Sequence, residues 1–114
     1  NTYEFLLGPF LILLVGFLYY FFPPKGINQV YGYRTPSAMK NDRNWEFANR
    51  WASRLFLMLA ILLFPLCYFN HITQFMGSGD FFLLVFLSGI GIIIAIVEIK
   101  LWKMVKRADT SVQK

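Results

Sequence analysis

The residues of this chain that carry the most chemistry fall in one stretch: Gly32, Arg34, Thr35, Ser37, Asn41, Trp45 and Asn49, with Glu98 far downstream. Together they offer a permanently charged guanidinium, hydroxyls, amides, an indole and a carboxylate. Arg34 presents a planar fork of N–H donors that fits a carboxylate, the last carbonyls of a helix, or a phosphate. Thr35, Ser37 and Asn41 can satisfy loop backbone that would otherwise lie bare near an apolar medium, and Gly32 permits a tight turn. Paired carboxylates, a Ser-His-Asp arrangement and a Gly-rich phosphate cradle are all lacking. His71 is the single histidine and has no second metal ligand near it in sequence; Cys67 is the single cysteine and sits among apolar residues. The pattern points to binding and hydrogen-bonded structure rather than to an enzyme, and it implies neither metal nor cofactor.

The medium in which these residues work follows from composition. Of 114 residues, 57% are hydrophobic and 19% aromatic, with thirteen Phe, while only 15% are charged. A soluble domain carries roughly 25% charged residues, and a chain this short has a high surface-to-volume ratio that demands polar cover. The polar surface is too small to solvate a folded monomer in water. A soluble globular enzyme and a disordered tail are excluded, as is a disulfide scaffold. The single domain is therefore expected to be an all-α integral membrane protein.

Three apolar runs supply the helices: residues 5–22, 55–69 and 81–97. A spanning helix needs about 20 mostly apolar residues to cross ~30 Å of hydrocarbon. With their flanks the runs predict three spans at about 4–22, 44–69 and 80–104, and a motif loop at 23–43. The first run has no basic residues ahead of it and no small-residue cleavage pattern, so a cleaved signal peptide is a poor account of it. A start at Asn1 rather than Met points to a lost initiator or tag remnant.

Orientation follows from charge. All eleven Lys and Arg lie either between residues 23 and 54 or from Lys100 onward, while the opposite side carries only Glu4 and Asp80. The positive-inside bias places the motif loop and the C-terminus in the cytoplasm and the N-terminus outside. The same distribution explains the basic balance through orientation and lipid headgroups, without nucleic acid.

Pro23-Pro24 must end the first helix, with Tyr19 and Tyr20 at the inner interface. Asn41-Asp42 offers an N-cap, and from Arg43 onward the pattern turns helical. On a helical wheel Glu46, Asn49, Arg50, Ser53 and Arg54 share one side, and Trp45, Ala48, Trp51, Ala52 and Leu55 the other. An amphipathic cytoplasmic helix is thus expected to lead directly into the second span. Pro65 should bend that span, and residues 70–79 should form a short outer loop. In the third span Ser88, Gly91 and Ala95 form a small-residue face suited to close helix packing, with Ile93 on another face. Glu98 and Trp102 share the small-residue face, so the Glu98 carboxylate is expected to meet a cation: Arg34, directly or through Asn49.

The stretch from Gly32 to Arg50 resembles the motif of the SdpI family, small membrane proteins named after the immunity protein against a secreted sporulation-delaying toxin. That motif runs Gly-x-Arg-Thr, a Ser or Thr shortly after, an Asn, then Trp, then Asn near the start of a span. Gly32, Arg34, Thr35, Ser37, Asn41, Trp45 and Asn49 match it in order, and the flanking spans agree in number. The immunity protein looks like a longer chain, with additional spans ahead of a module like this one. The resemblance implies a multi-pass protein of the bacterial cell membrane that acts in toxin immunity or signalling. Its partners would be membrane lipids, a toxin peptide or a cytoplasmic repressor, with a homo-oligomer compatible with the small-residue face. The competing reading is a small transporter or channel subunit, for which few polar residues lie at mid-membrane positions.

Overall fold

Every regular element among the described residues is helical. The computed structural model describes residues 4–28 and 30–113, with residues 110–113 by backbone alone. A 3-10 turn at Glu4–Leu6 leads into α1 (Leu7–Phe21), a second at Ala38–Lys40 precedes α2 (Asp42–Thr73), and α3 (Ser78–Gln113) completes the order. The ends follow from local chemistry. The double proline halts α1, whose last turn closes with Phe22 N donating to Leu18 O at 2.9 Å. At the start of α2, Asn41 is extended and its Oδ1 accepts from Asn44 N at 2.8 Å, satisfying one of the first-turn donors. Gln74 ends α2 in the left-handed conformation, and its N–H donates to Asn70 O at 2.8 Å.

Three helical stretches are long and apolar enough to cross a membrane: Glu4–Phe21, Asp42–Thr73 and Ser78–Asp109. Leu7, Leu11 and Leu14 on α1, and Leu83, Leu84 and Leu87 on α3, face outward with more than half their surface open. Water disfavours such a surface, whereas hydrocarbon accepts it. The molecule is 60 Å long, about twice the ~30 Å of a hydrocarbon core.

α2 is the central helix and packs against both neighbours. It contributes small side chains at the seam, Ala48, Ala52 and Ala60, all buried. Against the Ala48–Ala52 part of it, α3 sets Ile93, Val97 and Leu101, one turn apart on a single stripe. α1 buries Pro9, Gly16 and Tyr19. Near its N-terminal end α1 meets a side chain of α3: a Cβ on Gly8 would lie 2.6 Å from the Phe82 ring, so a larger residue there would have to displace that ring.

Several expectations are corrected. Gly91, Ala95 and Ser88 are exposed, nothing lies within 4 Å of a Cβ built on Gly91, and Ile93 is buried. Along the Ala48–Ala52 part of the seam the small residues belong to α2 and α3 brings the large ones, whereas further along α3 contributes Gly89, where a Cβ would lie 2.6 Å from Leu59 Cδ1. The segment ahead of the second span does lead directly into it, as the first turns of α2. There Glu46, Arg50 and Arg54 are exposed as the wheel placed them, but Asn49 and Ser53 are buried. The loop expected at 70–79 shrinks to a turn, because α2 continues to Thr73 and α3 begins at Ser78. Asn70 staples that turn, donating from Nδ2 to Met76 O and accepting from Met76 N, both at 3.1 Å.

Candidate functional site

The motif loop is folded back on the helices by its own polar groups. Asn28 Oδ1 accepts from Val30 N at 2.9 Å and Tyr31 N at 2.7 Å, a side-chain-made turn. Tyr31 then donates its hydroxyl to Phe22 O at 2.8 Å, which ties the loop to the end of α1. Gly32 follows at φ 113°, a conformation open to glycine and strained for other residues. A Cβ there would also lie 2.7 Å from Asn49 Oδ1 and 2.8 Å from Pro24 Cγ, so both backbone and space select glycine.

Asn49 is the anchor. Its Oδ1 accepts from Tyr33 N at 2.7 Å and from the Tyr19 hydroxyl at 2.5 Å. Its Nδ2 donates to Trp45 O at 3.0 Å and Tyr33 O at 3.4 Å, so both ends of the amide are used. One buried side chain thereby joins α1, the loop and α2. Trp45, fully buried one turn earlier, packs beneath Gly32 and donates Nε1 to Pro24 O at 3.3 Å.

The loop reaches α3 through Glu98. Its Oε2 accepts from the Tyr33 hydroxyl at 2.7 Å and the Thr35 hydroxyl at 2.9 Å. Arg34, expected as the partner of this carboxylate, is not among its partners among the described residues; the residues on either side of Arg34 take that place. Tyr33 and Thr35, one on each side of Arg34, both bring their hydroxyls to Glu98 on α3. Burial, and then the hydrogen bond to the Glu98 carboxylate, push the Tyr33 phenol above its ordinary value. Thr35 also accepts from Ala38 N at 3.3 Å, which starts the 3-10 turn. Ser37 contributes its carbonyl, taken by Asn44 Nδ2 at 3.1 Å.

The motif residues therefore converge at one end of the molecule, where the C-terminal half of α3 also lies. Gly32, Thr35, Asn49 and Glu98 are linked by contacts through Tyr33, with Trp45 beneath, while Ser37 and Asn41 shape the entry to α2. Of the two tyrosines that complete the network, Tyr33 was not marked by sequence reasoning and Tyr19 was marked only as an interface anchor. The hydroxyl-bearing residues on either side of Arg34 are the signal that would have found Tyr33. Beside this clamp, a groove of about 410 Å³ opens between α1 and α3 across α2. Val15, Phe56, Ile90 and Ile94 give it apolar walls, and Arg34 stands at its loop end. The geometry suits an amphipathic ligand with an apolar body and a polar or anionic end.

The comparisons agree with this anatomy. The family model for the SdpI/YfhL protein family matches residues 25–98, from the motif loop to the carboxylate that holds it. The chain is 41% identical over 58 residues to the uncharacterized protein YfhL of Bacillus subtilis (strain 168), across 51% of this chain and 53% of that protein. The match thus spans about half the length of that relative. No solved structure matches. With the matched segment running from the motif loop through Asn49 to Glu98, the chain belongs to the SdpI/YfhL protein family.

Proposed function

We propose that this protein is a multi-pass bacterial cell-membrane protein that acts by binding, in toxin immunity or membrane signalling, and not by catalysis. The motif loop and C-terminus face the cytoplasm, as the distribution of all eleven Lys and Arg supports. The first turns of α2 then form an amphipathic segment at that interface, with Glu46, Arg50 and Arg54 toward water. The observation that carries the reading is the groove between α1 and α3, apolar along its walls and ending at Arg34. A peptide or lipid lying in it would meet hydrocarbon-like side chains along its body and a guanidinium at its end. Occupancy would be felt directly by the loop, which forms the end wall and is the face available to a cytoplasmic partner such as a repressor.

The test is protection. Cells lacking their own immunity are challenged with the secreted sporulation-delaying toxin while expressing the chain. Wild type should protect, and Ile94→Trp, which fills the groove, should abolish protection at an unchanged membrane level. Arg34→Gln should weaken it. Full protection by Ile94→Trp would remove the groove from the function, and no protection by wild type would remove immunity.

A further inference from the structure

A second cavity, of about 560 Å³, lies beside Glu98 between the start of α2 and the C-terminal half of α3. Asn44 forms part of its wall and is 2% exposed. Its Nδ2 is used by Ser37 O, but its Oδ1 is buried with no hydrogen-bond partner among the described residues. A buried acceptor without a donor costs about 1–3 kcal/mol, so this oxygen calls for a donor from outside the chain. Half-buried Glu98 adds a second acceptor. Both hydroxyls go to Oε2, and Oε1 receives no hydrogen bond from the described residues. Lys40 brings a positive charge to the same cavity, while Ile99, Trp102 and Val105 line it with apolar surface.

The cavity therefore asks for a cationic N–H donor, an anionic group and an apolar tail within one ligand. Its depth fits an interface. Trp102 is exposed with Lys106 Nζ 4.7 Å from its ring centroid, and Lys100 Nζ lies 4.1 Å from the centroid of Trp51. Aromatic rings beside basic side chains are characteristic of headgroup level.

We propose that this cavity binds the headgroup of an amine-bearing zwitterionic phospholipid. The primary ammonium donates to Glu98 Oε1 and Asn44 Oδ1, the phosphate faces Lys40, and one acyl chain runs along Ile99, Trp102 and Val105. A primary ammonium has three N–H donors, enough for both acceptors. A choline headgroup has the same charge but no donor, and a glycerol headgroup has no cation to oppose Glu98. The proposal rests on the membrane placement given above but not on the groove, so its failure leaves the groove reading standing.

Native mass spectrometry of the full chain in detergent tests it. Phosphatidylethanolamine and phosphatidylcholine with identical chains are offered together, and the ethanolamine lipid should be retained roughly tenfold better, the worth of one charge-assisted hydrogen bond. Glu98→Gln should bring the two to near parity. Lys40→Gln should lower retention of both while keeping their ratio. Should Glu98→Gln fail to fold, wild type can be offered N-methylated and N,N-dimethylated ethanolamine lipids, and retention should fall as donors are removed. Equal retention of the two lipids by wild type, a ratio that survives Glu98→Gln, or a flat response to methylation would each overturn the proposal. So would preference for phosphatidylglycerol, or displacement by equimolar soluble phosphoethanolamine, which lacks the chains.

Discussion

Tyr33 donates its hydroxyl to Glu98 Oε2 at 2.7 Å, a bond between residues 65 apart in sequence that joins the loop after α1 to α3. Because Asn49 holds the backbone of the same tyrosine from α2, Tyr33 is the point at which the loop is tied to two helices at once. Loosening either tie frees the loop at one end only, and loosening both should release it.

The first prediction concerns energy. A hydrogen bond to a charged group contributes about 1.5–3 kcal/mol. Tyr33→Phe should therefore lower thermal stability in detergent, and its loss should overlap with that of Glu98→Ala. A double-mutant cycle on this pair is expected to be strongly non-additive. The cycle on Arg34→Ala and Glu98→Ala should show the smaller coupling. A larger coupling to Arg34 than to Tyr33 would contradict the observed pairing.

A second prediction is alkaline sensitivity. The Tyr33 phenol titrates higher in the folded chain than its ordinary value of 10.0, because burial and Glu98 disfavour the phenolate. The contribution is fully present below the unfolded value, and it is lost as pH rises from there through the raised folded value. Melting followed from pH 9 upward should show wild type losing stability faster than Tyr33→Phe. Parallel curves would mean that Tyr33 does not carry this effect.

How legible this was in sequence depends on the level. The three helices were legible because eighteen-odd apolar residues have few alternatives. The N-cap at Asn41 and the halt at Pro23 were legible because they depend on local chemistry alone. Asn49 and Trp45 were legible as neighbours one turn apart, at the boundary between the two sides of the wheel, where one can hold the loop while the other packs beneath. The partner of Glu98 did not follow, because charge complementarity favoured Arg34, whereas the folded loop brings the hydroxyls of Tyr33 and Thr35 to that carboxylate. The packing face of α3 was missed for a related reason. A stripe of small residues marks where a helix can be approached, but whether it is approached depends on the neighbour, and α2 already brings its own alanines.

That correction is itself testable. Leu101 is buried against α2, so Leu101→Ala should leave a cavity and cost about 2 kcal/mol, the low end for such truncations because lipid weakens the transfer term. Gly91→Leu, on the open face, should be near neutral for the folded monomer. Thermal melts in detergent at low protein concentration decide this, and a severe loss from Gly91→Leu there would restore the small-residue face as an internal seam.

Gly32→Ala should be among the most damaging small substitutions in the loop. It forces alanine into a positive-φ conformation, which costs about 1–2 kcal/mol for a residue with a Cβ, and drives the new methyl toward Asn49 Oδ1 and Pro24. Gly26→Ala serves as the control, since nothing lies within 4 Å of a Cβ placed there. Similar melting temperatures for the two variants would show that the turn at Gly32 is not constrained.

Orientation can be read by chemistry at two serines. Ser37 and Ser78 are both exposed, one beside the motif loop and the other at the start of α3, so neither is shielded by packing. Cys67 is buried and is replaced by alanine beforehand to leave a clean background. If the loop lies in the cytoplasm, as we propose from its six Lys and Arg between residues 23 and 54, Ser37→Cys should resist an impermeant maleimide in intact cells and react after lysis. Ser78→Cys should react in intact cells. The reverse pattern would invert the topology, and with it the face on which any repressor could meet the loop. Labelling of both positions in intact cells would mean that the two ends of α2 are open to the same side, which a spanning helix does not allow.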